Sequence, residues 1–206
     1  MLLRLEHTDD IEVRRTLDRL MMRIPRLCGR RIRLEFRPAL RDHRGRVLSE
    51  VDVGTPIHAA THTRKRYIVL DAELKTQKRE LARIVVHEIF HFAWLRLGNE
   101  KRHAYEHLVS QEIQNRARGE LGWSAESRKR KLTLRDRRNR TRKWREYCCE
   151  SFCDTGAWLY SGVRRHDEFT LALRLREARR AWFERYAFER TAFEHTARGA
   201  GIAISI

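Results

Sequence analysis

A disulfide framework is the first thing this sequence does without. Its 206 residues include only four cysteines, Cys28, Cys148, Cys149 and Cys153. Three of them crowd into one short stretch of expected helix, where neighbouring side chains diverge and cannot form a regular set of bridges. That excludes a small secreted scaffold stapled by disulfides and points to a reducing compartment. No signal peptide is expected either, because the start, MLLRLEHTDD, meets charge too soon to supply its apolar core. No apolar run approaches bilayer-spanning length, so the expected location is cytoplasmic, with no membrane span. No internal repeat is apparent. Acidic residues are in short supply: 28 Asp and Glu stand against 45 Lys and Arg, a net charge of +17. Such an excess favours nucleic acid, anionic membrane surfaces or acidic proteins as partners. Arg-rich faces are also often just solvated, and the motifs of nucleic-acid-binding folds are absent.

What is present suffices for one sizeable core, at 41% hydrophobic and 35% charged residues. The reading is a single domain over 1–206. Asp9 to Ile24 reads as an amphipathic helix, with Ile11, Leu17, Leu20 and Met21 near helical spacing and Pro25 just past its end. Arg31 to Arg37 alternates as RIRLEFR, which places Ile32, Leu34 and Phe36 on one face of a strand. Turns are expected at Asp42–Gly45 and Gly54–Pro56, and short strands near Ile57–Thr61 and Tyr67–Leu70. A long helix follows from about Lys75 to Leu97, with Leu81, Ile84, Val85, Phe92 and Leu95 apolar and Gly98-Asn99 as its stop. Further helices are expected over Arg102–Arg118, Trp144–Tyr160 and Asp167–His195, the last within a C-terminal helical region at 165–198. Between them, 128–145 is a basic insertion or loop. Strands first and helices afterwards make an α+β arrangement, a small strand layer on one long helix followed by a mostly helical half.

That long helix carries His87-Glu88-Ile89-Phe90-His91, an HExxH motif. Residues four apart lie one above the other on a helix face, so two imidazoles can reach one metal ion. Zinc lowers the pKa of water to about 7, and Glu88, one position round, can take the proton as the water attacks a carbonyl. The setting, RIVVHEIFHFAWL, is apolar, and burying two His and a Glu there is costly without a shared partner. Catalytic zinc normally takes three protein ligands and keeps one position open. Glu150 and Asp154, four apart on a helix face with Tyr147, Ala157 and Trp158, supply one candidate third ligand. His103, twelve residues after His91 in a polar setting, supplies another. Cys149 and Cys153 share the spacing of four, but no matching Cys or His pair accompanies them, which favours buried apolar cysteines.

HExxH with a downstream helical ExxxD resembles the gluzincin metallopeptidases, within the wider zincin group. The resemblance covers these two helices and the strand before the first. It implies that His87, His91 and Glu150 bind Zn2+, that Glu88 is the general base, and that Asp154 steadies His87. It also implies hydrolysis of a protein or peptide substrate. The order helix, strand, HExxH, helix, Glu is similar to the ImmA/IrrE-type bacterial metallopeptidases as well. The metzincin extension is absent, since Trp94 and Leu97 stand where it places Gly and His. With His103 as third ligand the chain instead resembles the SprT-like metallopeptidases, which act on DNA-associated proteins. Ala104 replaces the Gly usual after that His, and no zinc-ribbon cysteine pairs follow. The rival from another class is a basic nucleic-acid-binding protein with a structural HEIFH segment, Trp144 then being available to stack on a base.

Overall fold

In a computed structural model, residues 3–6, 10–187 and 203–205 are described. The chain opens with a short strand, β1 (Leu3–Leu5), and a helix, α1 (Ile11–Met21). The Asp10 carboxylate caps α1 by accepting from the Glu12 and Val13 amides, a cap that contributes about 1 kcal/mol. Val13, Leu17 and Leu20 form its buried face, whereas Ile11, expected to join them, is 60% exposed. Seven strands follow: β2 (Arg26–Cys28), β3 (Ile32–Arg37), β4 (Arg41–His43), β5 (Arg46–Leu48), β6 (Thr55–Pro56), β7 (Ala59–His62) and β8 (Tyr67–Asp71).

The principal sheet has the order β1-β3-β8-β7. Its first three strands run parallel, and β7 closes one edge antiparallel to β8. The alternation read in RIRLEFR holds at Ile32 and Leu34, both buried, while Phe36 is half-buried. Ile68, Val69 and Leu70 of β8 are all buried, as a central strand covered on both faces requires. The turn expected at Asp42–Gly45 joins β4 to β5 in a second, three-stranded sheet, β5-β4-β6.

A 3-10 turn at Ala72–Thr76 leads into the long helix, α2 (Lys78–Arg96), which therefore begins three residues later than expected. From Leu81 to Trp94 it is buried nearly all round, and its two ends are exposed, including Leu95, counted on its apolar side, at 50%. Gly98 both ends α2 and begins α3 (Asn99–Gln114). The chain then forms α4 (Trp123–Lys129), α5 (Leu134–Arg138), α6 (Arg142–Tyr160) and α7 (Leu173–Trp182). The basic stretch 128–145 thus contains the end of α4, all of α5 and the start of α6. A reciprocal Thr133–Asp136 capping box starts α5. Within this stretch Trp144 is 2% exposed and packs on Tyr147, so it has no free face to stack on a base. The helix expected over Asp167–His195 is present as α7 and a π turn at Phe183–Ala187. Residues 188–195 of that expected helix, and the rest of the expected C-terminal region to 198, lie outside the described residues. In the apolar tail, β9 (Ala203–Ser205) pairs parallel with β2. The order is α+β: a mixed strand layer against α2, then a mostly helical half.

The contact that sets the site is α2 on α6. Gly156 of α6 faces the Phe90 ring so closely that a Cβ there would overlap it. Around that approach Phe90, Phe152, Phe183 and Tyr160 pack ring on ring, with Phe152 and Phe183 centroids 4.8 Å apart. The aromatic cluster fixes both helices about one turn from the His87 side chain.

Candidate metal centre

His87, Glu88 and His91 all lie on α2, and Glu150, Cys153 and Asp154 all lie on the facing side of α6. Spacings of three and four put the last three on one helix face. Asp154 Oδ1 is 2.7 Å from His87 Nδ1. The other Asp154 oxygen accepts the Ala125 amide at 3.1 Å, so the start of α4 holds the carboxylate in place. Gly122 backs it: a Cβ at that residue would overlap the carboxylate. With Nδ1 engaged, His87 turns Nε2 the other way, where Glu150 Oε2 lies 3.3 Å distant. Glu150 Oε1 pairs with Arg128 Nη2 at 3.2 Å. His91 Nδ1 is 3.5 Å from both the Cys149 and Cys153 sulfurs. One donor atom each from His87, His91 and Cys153 falls within 4.8 Å of the other two, a group able to hold a metal ion.

These distances suit a metal. Bonds of about 2.0–2.3 Å from zinc to nitrogen, oxygen or sulfur put tetrahedral neighbours about 3.3–3.8 Å apart. The Glu150–His87 separation already matches, and the His87, His91 and Cys153 donors lie within 4.8 Å of one another. The electrostatics agree. Burial alone would depress His87, but the Asp154 charge and hydrogen bond, then Glu150, raise its pKa well above the ordinary value. Burial also opposes protonation of His91, yet its contact with Cys149 lifts it to about 9. Burial raises Glu150, and the bond to His87 with the nearby His91 overcomes this and brings it to about 2. The bond from Cys153, with help from His91, lowers the Cys149 thiol to about 6 against burial, whereas burial pushes Cys153 up. Carboxylates converging on buried imidazoles make a well for positive charge, which a divalent cation can fill.

Glu88 is 7% exposed, and its Oε2 accepts from Thr61 Oγ1 at 2.6 Å. Thr61 belongs to β7, so the sheet edge fixes one oxygen of this carboxylate. His87, Glu88 and Asp154 line a cleft of about 420 Å3 whose other walls include Ile57, Ala59 and Ile84.

No known family, curated protein or solved structure matches this chain.

Of the residues singled out in the sequence, His87, Glu88 and His91 on α2 face Glu150 and Asp154 on α6, each of which contacts His87, but the donor group of His87, His91 and Cys153 does not include Glu150. His103 is not among them: it is exposed on α3 and lines a different cavity with Trp94, Arg102 and Arg140. Cys153, read as an apolar cysteine, belongs to the donor group instead. The reason is that its partners come from another helix, so no Cys or His pair need lie nearby in sequence. The signal available was its place on the Glu150–Asp154 face, at positions i, i+3 and i+4. The roles of Thr61 and Arg128 had no sequence signal, because each depends on how distant elements pack.

Proposed function

We propose that the protein is a zinc-dependent hydrolase of peptide bonds, with His87, His91 and Glu150 as metal ligands and Glu88 as general base. The observation that carries this reading is the double engagement of His87. Asp154 takes Nδ1, and Glu150 reaches Nε2 at a ligand-to-ligand distance. In the same way His91 can direct Nδ1 to the cysteine sulfurs and leave Nε2 for the metal. Zinc held there supplies Lewis-acid polarisation of the substrate carbonyl and favours deprotonation of water. Glu88, braced by Thr61, accepts the proton from the attacking water. When the C–N bond breaks, Glu88 passes that proton to the leaving amine nitrogen. Asp154 keeps His87 in the tautomer whose Nε2 carries the free lone pair.

A second reading rests on the Cys153 sulfur. With Cys153 added to His87, His91 and Glu150, four protein donors would close the site and make the metal structural. Two experiments separate the readings. Glu88→Gln should abolish hydrolysis of peptides by the zinc-loaded protein while leaving its zinc bound. Cobalt substitution should give a spectrum without thiolate-to-cobalt charge transfer. Residual peptidase activity in Glu88→Gln would remove Glu88 from its role. A charge-transfer band lost in Cys153→Ser would favour the closed site.

A further inference from the structure

The cleft beside Glu88 does not end at the metal centre. Trp123, at the first turn of α4, is 69% exposed and lines this cleft together with Ile57, Ala59 and Ile84. The same side chain lines a second hollow of about 540 Å3, whose walls include Ser127, Arg128, Lys131 and Lys143. The indole is therefore the shared wall between an apolar chamber at the catalytic carboxylate and a basic shelf.

The charges in the two hollows differ in how they are paired. In the chamber, Arg83 is fully engaged by Glu80 and Glu168, leaving the apolar side chains as its distinctive lining. On the shelf, Arg128 is held by Glu150, and its acid, Glu146, is neutralised by Arg142. Nearby Glu126 is taken by Arg130. Lys131 and Lys143 are exposed and make no ion pair among the described residues. Two exposed ammonium groups beside an exposed aromatic ring, of which Lys143 also feels the Asp136 charge, favour an anionic segment of chain.

We propose, building on the peptidase reading, that chamber and shelf form one substrate groove. It takes a bulky apolar side chain against Trp123 next to the scissile bond and an acidic run of the same polypeptide on Lys131 and Lys143. The occupant is thus an acidic polypeptide, complementary to the shelf's unpaired positive charge. Nucleic acid on the same shelf is the competing outcome.

The test uses zinc-loaded Glu88→Gln full-length protein and three labelled peptides, followed by fluorescence anisotropy. The peptides share a central Phe and carry Asp/Glu, Ser/Gly or Lys on one flank. At low salt the acidic peptide should bind about fivefold or more tighter than the neutral one, since two exposed ion pairs are individually weak, and the gap should close as salt rises. Lys131→Glu with Lys143→Glu should erase this preference and leave the neutral peptide unchanged. Trp123→Ala should weaken both, and Ala in place of Phe in the peptide should make that loss disappear. Trp123, Lys131 and Lys143 are exposed, so circular dichroism melts of these variants should match the Glu88→Gln parent. Equal binding of the three peptides overturns the proposal. So does a DNA oligonucleotide that binds tightly through Lys131 and Lys143 while the peptides show no charge preference. If the acidic peptide is selected but the wild type with Glu88 cleaves no peptide, the groove stands and the peptidase reading falls.

Discussion

Arg179 is wholly buried, and its replacement by Met offers a demanding test of how the helical half is held. Its guanidinium donates to Glu112 through Nε at 3.0 Å and Nη2 at 2.6 Å, and to Glu120 through Nη1 at 2.8 Å. Glu120 is completed by Lys129 at 3.0 Å and by the Tyr147 hydroxyl at 2.7 Å. The network thus ties α7 to α3, to the segment before α4, to the last residue of α4 and to α6 one turn before Glu150. Methionine fills similar space but leaves two buried carboxylates short of a cation, which costs about 3–5 kcal/mol. For a chain of this size that lowers Tm by about 10 °C.

The pH dependence sharpens the test. In the native protein burial raises Glu120, but Arg179 and Lys129 prevail and its pKa lies below the ordinary 4.5. Its contribution is therefore complete above the unfolded value and fades as pH falls through the folded one. Without Arg179, only Lys129 and the Tyr147 hydroxyl oppose burial, and the Glu120 pKa should rise above its native value. The penalty is then absent in acid and grows as pH rises through the new pKa. The stability gap between native and Arg179→Met, measured by urea unfolding, should be widest near neutrality and shrink toward about pH 4. A loss under about 1 kcal/mol, or a gap that widens in acid, would refute the reasoning.

Three further substitutions probe the site and its support. Asp154→Asn should weaken zinc binding about 10–100-fold in chelator competition, because the imidazole loses its carboxylate partner. Gly122→Ala should push on that same carboxylate, costing about 1–3 kcal/mol in thermal unfolding and lowering zinc affinity with it. Gly156→Ala should cost a similar amount through the clash with Phe90, yet elemental analysis should still find zinc at the wild-type stoichiometry.

Most of the side chains that face one another between α2 and α6 were legible because their logic is local. HExxH and ExxxD are each written within one helix turn, and a buried acid or imidazole at such spacing needs a common partner. The β3 strand was legible for a similar reason, its alternation being a property of six consecutive residues. What escaped depends on pairing between distant segments. Leu3–Leu5 is too short to show a pattern and becomes a strand only beside Ile32–Leu34. Arg179, Glu112 and Glu120 look like ordinary surface charges until the helices bring them together. The basic stretch 128–145 is polar enough to suggest a loop, yet Asp136 caps α5 and Trp144 is drawn into the core.

The most direct test of the metal centre is zinc content per chain, by elemental analysis of zinc-equilibrated protein and of five single alanine variants. The account predicts one zinc in the wild type, its loss in His87→Ala, His91→Ala and Glu150→Ala, and its retention in Cys153→Ala and His103→Ala. Loss in Cys153→Ala with retention in Glu150→Ala would move the third ligand to the cysteine. A folded wild type that takes up no zinc would contradict the account.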